Sequence, residues 1–306
     1  MSPDLAIMLT AGFTATACGL LGPFLVLRRV SLMGDAVSHA VLPGIVLVWI
    51  LMETRATLPV IFGAALFGVV CVLAVEALRG TRLVKADAAI ALVFPALFAL
   101  GVLGINQFAG NIHLDLDSTI YGEIAFVPFR TVGYGIPQAL VAIGAIAAVN
   151  LALLIAFWKE LKATTFDPEF ARTIGIPPKL ISRLLLVAVA VTAVTAFESV
   201  GAILVITLLI VPAATAYLVT DRLWLMVAVT LATGWISAIA GYQGAVAIDA
   251  SIAGAMGVVA TACFLVALLA SPRYGLIARA VQRSRRRRRV ERALEAEGVP
   301  EALRAG

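Results

Sequence analysis

Apolar runs of about 20 residues follow one another along the chain, separated by short polar or charged breaks. Each run is long enough to cross a hydrocarbon core of roughly 30 Å as a helix rising 1.5 Å per residue. Reading the apolar stretches between charges predicts nine spans, at residues 5–27, 32–51, 58–78, 86–105, 136–158, 180–197, 200–219, 223–240 and 252–270. The expected fold is therefore all-α and polytopic. The seventh span is the least regular: Glu198, Ser199 and Gly201 form a tight entry and Pro212 interrupts the run, so eight full spans plus a re-entrant piece fit almost equally well.

Composition agrees with that pattern. Of 306 residues, 62% are hydrophobic and only 13% charged, and the mean hydropathy of +1.04 lies far outside the range of soluble domains. No soluble domain of any size fits between the runs. The first run lacks a positively charged start and is too long for a signal-peptide core, so it reads as a retained span. Cys18, Cys71 and Cys263 each stand alone in an apolar run without CxxC spacing, which makes them packing residues rather than a disulfide or thiolate site. Pro95 and Pro212 fall inside runs and are expected to kink them, while Gly63, Gly68, Gly254 and Gly257 read as points of close helix packing.

Lys and Arg set the orientation. Alternate connections carry Arg28 and Arg29; Arg79, Arg82 and Lys85; Lys159, Lys162, Arg172, Lys179 and Arg183; Arg222; and the tail from Arg273. The other connections hold only Arg55 and Arg130 among several acids. This places the N-terminus outside and the C-terminus in the cytoplasm. Residues 1–277 form the membrane domain and 278–306 a basic tail, whose Arg run suits anionic lipid headgroups and whose share of the net charge of +5 points to a membrane surface rather than nucleic acid.

The longest inner connection, "WKELKATTFDPEFARTIGIPPKLISR", has its own architecture. Thr165 or Asp167 can cap a short helix opened by Pro168, which runs over residues 169–174 and is ended by Gly175 ahead of Pro177 and Pro178. Glu169, Ala171 and Gly175 fit the E-x-A-x-x-x-G pattern by which permeases of importing ABC transporters dock into a groove on an ATPase. Phe166 and Phe170 can fill an apolar groove, small residues allow close approach, and the charges of Asp167 and Glu169 set the register. No GxxxxGK[ST] phosphate loop occurs, so ATP hydrolysis by that route falls to another chain, and neither HExxH nor GxSxG is present to suggest an enzyme.

The most informative polar residues lie in "GDAVSHAVLPG", where Asp35 and His39 stand four apart and so share one face of a helix. A carboxylate and an imidazole presented together can share a divalent transition metal, weakly enough to release it again. Alternatively, they form a hydrogen bond that stabilises a helix start near the cytoplasmic interface, with Arg28 or Arg29 as a further partner. Ionisable residues inside a span tend to mark ion pathways. Pro43 and Gly44 are expected to bend or break the helix just beyond.

The segment "RRVSLMGDAVSHAVLPG" resembles the signature of permease subunits of zinc/manganese/iron ABC importers, the ABC-3 family. The segments "KADAAIALVFPALFALGVL", "HLDLDSTIYGEIAFVP", "TTFDPEFARTIGIP" and "ESVGAILVITLLIVPAATAYLVTDR" resemble the same family in the same order. The resemblance implies a homodimer or paired permease in a bacterial cytoplasmic (inner) membrane, two cytoplasmic ATPase subunits and an extracytoplasmic metal-binding protein. It also implies that Asp35 and His39 line the path of Mn²⁺, Fe²⁺ or Zn²⁺, with no permanent cofactor and ATP used only by the partner. The wording "SHAVLPG" and "YGEIAFVP" is closer to the manganese/iron branch than to the zinc branch.

Further polar residues fall in three places. His113, Asp115 and Asp117 alternate onto one side of the longest outer connection, as cation contacts or as a solvated acidic loop. Glu198 can gate or coordinate at the outer end of the path, or cap the seventh helix. Glu76 and Asp87 flank a basic inner loop, where ion pairing accounts for them. An ion-coupled secondary transporter using Asp35, His39 and Glu198 remains the alternative.

Overall fold

The computed structural model describes residues 1–52, 57–81, 83–108, 124–132, 135–271 and 275. Among them are nine apolar stretches long enough to cross a membrane, matching the predicted number. The helices are α1 Pro3–Leu27, α2 Met33–Ala40, α3 Leu42–Met52, α4 Thr57–Gly80, α5 Ala86–Phe108, α6 Gln138–Ala156, α7 Trp158–Phe166, α8 Pro168–Thr173, α9 Pro178–Val200, α10 Ala202–Val219, α11 Leu223–Ile248 and α12 Ile252–Ala270.

The central post is α1, which packs against α6, α9, α10 and α11. Its sequence explains why: Ala11, Ala15, Cys18, Gly19 and Gly22 leave a thin, buried surface that neighbours approach closely. At Gly22 a side chain would strike the carbonyl of Leu209 on α10, and at Gly12 the Trp235 ring of α11 fills the space. Trp235 turns its Nε1–H to Thr16 at 3.0 Å, so the indole donor is satisfied within the bundle. On the other side α2, α3, α4 and α5 pack together, and α9 joins this group to the first by contacting both α4 and α10. Here α3 and α4 meet backbone to backbone, since a methyl on Gly44 would collide with the Gly63 carbonyl.

The structure departs from the sequence expectation in several places. The second span is two helices: α2 ends at Ala40 and α3 begins at Leu42. The break falls at Val41, just before the expected Pro43–Gly44, because Pro43 has no N–H to donate to the His39 carbonyl and its ring crowds that turn. The chain beyond Ala156 forms α7, where a longer fifth span was expected. The eighth span continues through Gly241 to Ile248, since the glycine lies directly on the Met256 backbone of α12 instead of ending the helix. The tight entry expected at Gly201 is present, since this residue, at φ 85°, makes the turn between α9 and α10. Pro95 and Pro212 lie within helices that run on past them. Gly254 and Gly257 are not points of tight packing, because a Cβ at either would meet only ordinary contacts or open space.

A 3₁₀ turn, Ile124–Phe129, sits against α1, α9 and α12, and leads into a small antiparallel hairpin of β1 Thr131–Val132 and β2 Ile136–Pro137. The hairpin is the one β element among the described residues, and otherwise the all-α expectation holds. Cys18, Cys71 and Cys263 are unpaired, as their isolation in apolar runs suggested. The outer loop with His113, Asp115 and Asp117, and the Arg-rich tail, lie outside the described residues.

Candidate functional site

The short helix α2 is positioned by its small residues. Met33, Gly34, Ala36, Val37 and Ala40 are buried, with Gly34 against Leu209 of α10 and Val37 against Gly68 of α4 and towards Val194 of α9. That apolar side fixes the rotation of the helix, and the opposite side presents Asp35 and His39. Asp35 lies in the first turn and His39 in the last. The neighbours of α2 come from the middles of their spans. Phe94 and Phe98 lie roughly 12 to 18 Å along α5, and Gly68 about 17 Å along α4, at 1.5 Å per residue. The pair therefore sits at mid-depth in the helix bundle, not near the cytoplasmic interface.

His39 Nε2 and Asp35 Oδ1 are 3.7 Å apart, too far for a hydrogen bond. Two donors about 2.1 Å from one first-row metal stand about 3.0 to 3.4 Å apart, so a closure of a few tenths of an ångström would let both bind one ion. The imidazole is held by Phe94 and Phe98, with ring centroids 5.8 and 6.1 Å away and the second ring edge-on. These two aromatics were not singled out from the sequence, although their spacing of four puts them on one face of α5. The side chains of His39 and Asp35 are 48% and 44% exposed. Among the described residues, no third His, Cys, Asp or Glu joins them to make a group of three.

Arg28 is not their partner. It turns instead to α7, donating from Nε to Thr165 at 3.0 Å and from Nη2 to Thr164 at 2.8 Å. Burial of the guanidinium pushes its pKa down to about 10, opposed by the field of Glu76 and reinforced by that of Arg79. Glu76, largely buried, accepts from Ser182 at 3.0 Å and pairs with Arg79 and Arg183, which is the ion pairing expected of it.

The long connection that follows α6 folds closely as its sequence indicated. Asp167 is the N-cap of α8 and accepts from the Phe170 N–H at 2.9 Å, Pro168 opens the helix, and Gly175 at φ 84° closes it. Of the two capping candidates, Thr165 is instead an acceptor for Arg28. Ala171 is buried, while Phe166, Phe170, Ile174 and Leu180 are exposed, so an apolar surface with Glu169 on it faces away from the bundle.

The model of the ABC 3 transport family matches residues 5–271. The chain belongs to that family. It is accordingly a multi-pass transport protein of the bacterial cytoplasmic membrane, a permease component rather than an enzyme. Among relatives of this ABC-3 chain, the zinc transport system membrane protein TroD of Treponema pallidum is 42% identical over 276 residues, which cover 89% of this chain and 75% of TroD. The manganese transport system membrane protein MntD of Bacillus subtilis is 39% identical, with 90% of this chain and 95% of MntD covered. Among solved structures, PsaBC from Streptococcus pneumoniae in complex with Fab superposes with a TM-score of 0.73 at 29% identity, covering 90% of this chain and 94% of that one.

Among the described residues, Glu198 does not join the pair in a group of three. Glu198 lies, partly buried, in the last turn of α9, three residues before Gly201, the N-cap of α10. His113, Asp115 and Asp117 fall outside the described residues.

Proposed function

We propose that this chain is the membrane-spanning subunit of an ATP-driven importer of divalent transition metal ions, manganese or iron by preference and zinc as a further cargo. The observation that carries the proposal is the Asp35–His39 pair, at mid-depth and open on the protomer's side. Ionisable groups facing lipid at that depth are costly by roughly 3 kcal/mol or more each, so this face belongs against a second permease, its own copy or a paralogue, with the ion passing between them. Broken helices lining such cavities are a recurrent transport device.

In this mechanism an extracytoplasmic protein delivers the metal at the outer ends of the helices, with the N-terminus on that side. ATPase subunits grip the surface of Phe166, Asp167, Glu169, Phe170, Ala171 and Gly175, and their closure rocks the bundle so that Asp35 and His39 alternate between outward and inward access. The imidazole and carboxylate set discriminates poorly among Mn²⁺, Fe²⁺ and Zn²⁺, and relatives named for zinc and for manganese are about equally similar to this chain. Selection by the delivering protein fits both facts. Glu198 and the acidic loop around His113, Asp115 and Asp117 serve as outer contacts for the cation, and the basic tail at residues 278–306 rests on anionic lipid.

The test is metal uptake by cells carrying the complete system, with ATP depleted while the proton gradient is clamped. Uptake that stops on depletion supports the importer. Uptake that persists and follows the gradient establishes an ion-coupled secondary transporter instead.

A further inference from the structure

We propose that Arg28 is a positioning residue that transmits movement of the cytoplasmic helices α7 and α8 to the helix carrying Asp35 and His39. The inference rests on the reading of α8 as the ATPase-docking segment.

The geometry begins with the end of α1. The N–H of Arg28 bonds to Phe24 O at 3.0 Å, that of Arg29 to Val26 O at 3.1 Å, and that of Val30 to Leu25 O at 3.0 Å. Arg29 takes a left-handed φ of 56°, a position that usually falls to glycine. This tightly wound turn fixes the Arg28 backbone to α1, and the chain enters α2 only a few residues later.

The side chain reaches in the other direction. Its two N–H groups grip the adjacent hydroxyls of Thr164 and Thr165. Each hydroxyl spends its own proton on the backbone, Thr164 on Glu160 O at 2.7 Å and Thr165 on Leu161 O at 2.6 Å, which leaves its lone pairs aimed at the guanidinium. A planar fork holds the two with N–H groups fixed in direction on separate nitrogens, whereas an ammonium offers rotatable donors on one nitrogen.

Beyond the threonines, α7 and α8 form one hydrogen-bonded unit. The Asp167 N–H donates to Ala163 O at 2.9 Å, its carbonyl accepts from Ala171, and its carboxylate caps α8. Displacement of α8 therefore moves Thr164 and Thr165, which pull on Arg28 and so on the turn between α1 and α2. A half-buried cation whose close acceptors are neutral hydroxyls is a costly way merely to join two helices. A directional link between two parts that move is a reason to keep it.

The experiment uses the complete transporter, with its ATPase and binding protein, in liposomes, reading metal uptake and ATP hydrolysis together. Arg28→Ala and the pair Thr164→Val with Thr165→Val are each expected to lower the ratio of metal moved to ATP hydrolysed by roughly tenfold, with Arg28→Lys in between. Combining them is expected to cost no more than either alone. Thr164→Ser with Thr165→Ser retains the hydroxyls and the ratio, which separates the link from simple loss of packing. An unchanged ratio in the alanine and valine variants, additive losses, or a serine pair as impaired as the valine pair overturns the proposal. A wild-type complex whose uptake ignores ATP overturns the ATPase reading itself, and this inference with it.

Discussion

Two of the polar sites within the membrane-spanning part of the molecule are built in opposite ways. Asn150 on α6 is 2% exposed, and its amide donates to Ala17 O on α1 at 3.1 Å and to Thr192 on α9 at 2.8 Å. Three helices are knitted together, and the amide nitrogen spends both its N–H bonds inside the bundle. Asp35 and His39 are about half exposed, 3.7 Å apart, with no hydrogen bond between them. A polar group that the bundle satisfies is explained by the bundle. A pair that it orients, walls with two aromatics and leaves open is explained by what is to come against it.

The sharpest way to break this comparison is solvent access. With Cys18, Cys71 and Cys263 replaced by alanine, His39→Cys is expected to react with a charged thiol reagent roughly a hundredfold faster than Asn150→Cys, as the proposed path requires of the first position and not of the second. Similar rates would erase the distinction. The scaffold behind the open pair comes next. Gly44→Val drives a side chain into the Gly63 carbonyl, and a loss of about 2 kcal/mol or more is expected in the thermal stability of the detergent-solubilised protein, with uptake lost alongside it.

Asn150→Leu should be milder. It removes two hydrogen bonds from a site that carries no ion, costing about 1 kcal/mol in the same melt while leaving metal uptake per folded transporter unchanged. The smallest effect belongs to Asp167→Ala, which removes the cap of α8 for about 1 kcal/mol confined to that helix. Affinity for the ATPase, measured by titration of the solubilised permease, is expected to fall several-fold with the global melt unmoved.

Much of this architecture is legible in the sequence because the bilayer makes it so. Apolar run length fixes the spans, and the Asp-Pro opening and Gly175 ending fix α8 almost residue by residue. The pairing of Asp35 with His39 follows from helical spacing alone. What was not legible depends on contacts between distant segments. Whether the pair lies at the interface or at mid-depth is decided by Phe94, Phe98 and Gly68, none of which its own segment announces. The extension of α11 past Gly241 depends on Met256 lying against it. Arg28 could have been assigned to Asp35 by proximity in the chain, yet its acceptors are 136 and 137 residues away. That choice is made by the folding of α7 against α1.

The central claim is that Asp35 and His39 line the path of a transition metal. Its most direct test is the cellular content of manganese, zinc and iron, measured by mass spectrometry in a strain lacking its own importer and expressing the complete system at matched membrane levels. The wild type is expected to raise one metal, and Asp35→Ala and His39→Ala each to abolish roughly nine-tenths or more of that gain. Variants that accumulate the metal as the wild type does would contradict the claim and reduce the pair to a fixture of α2.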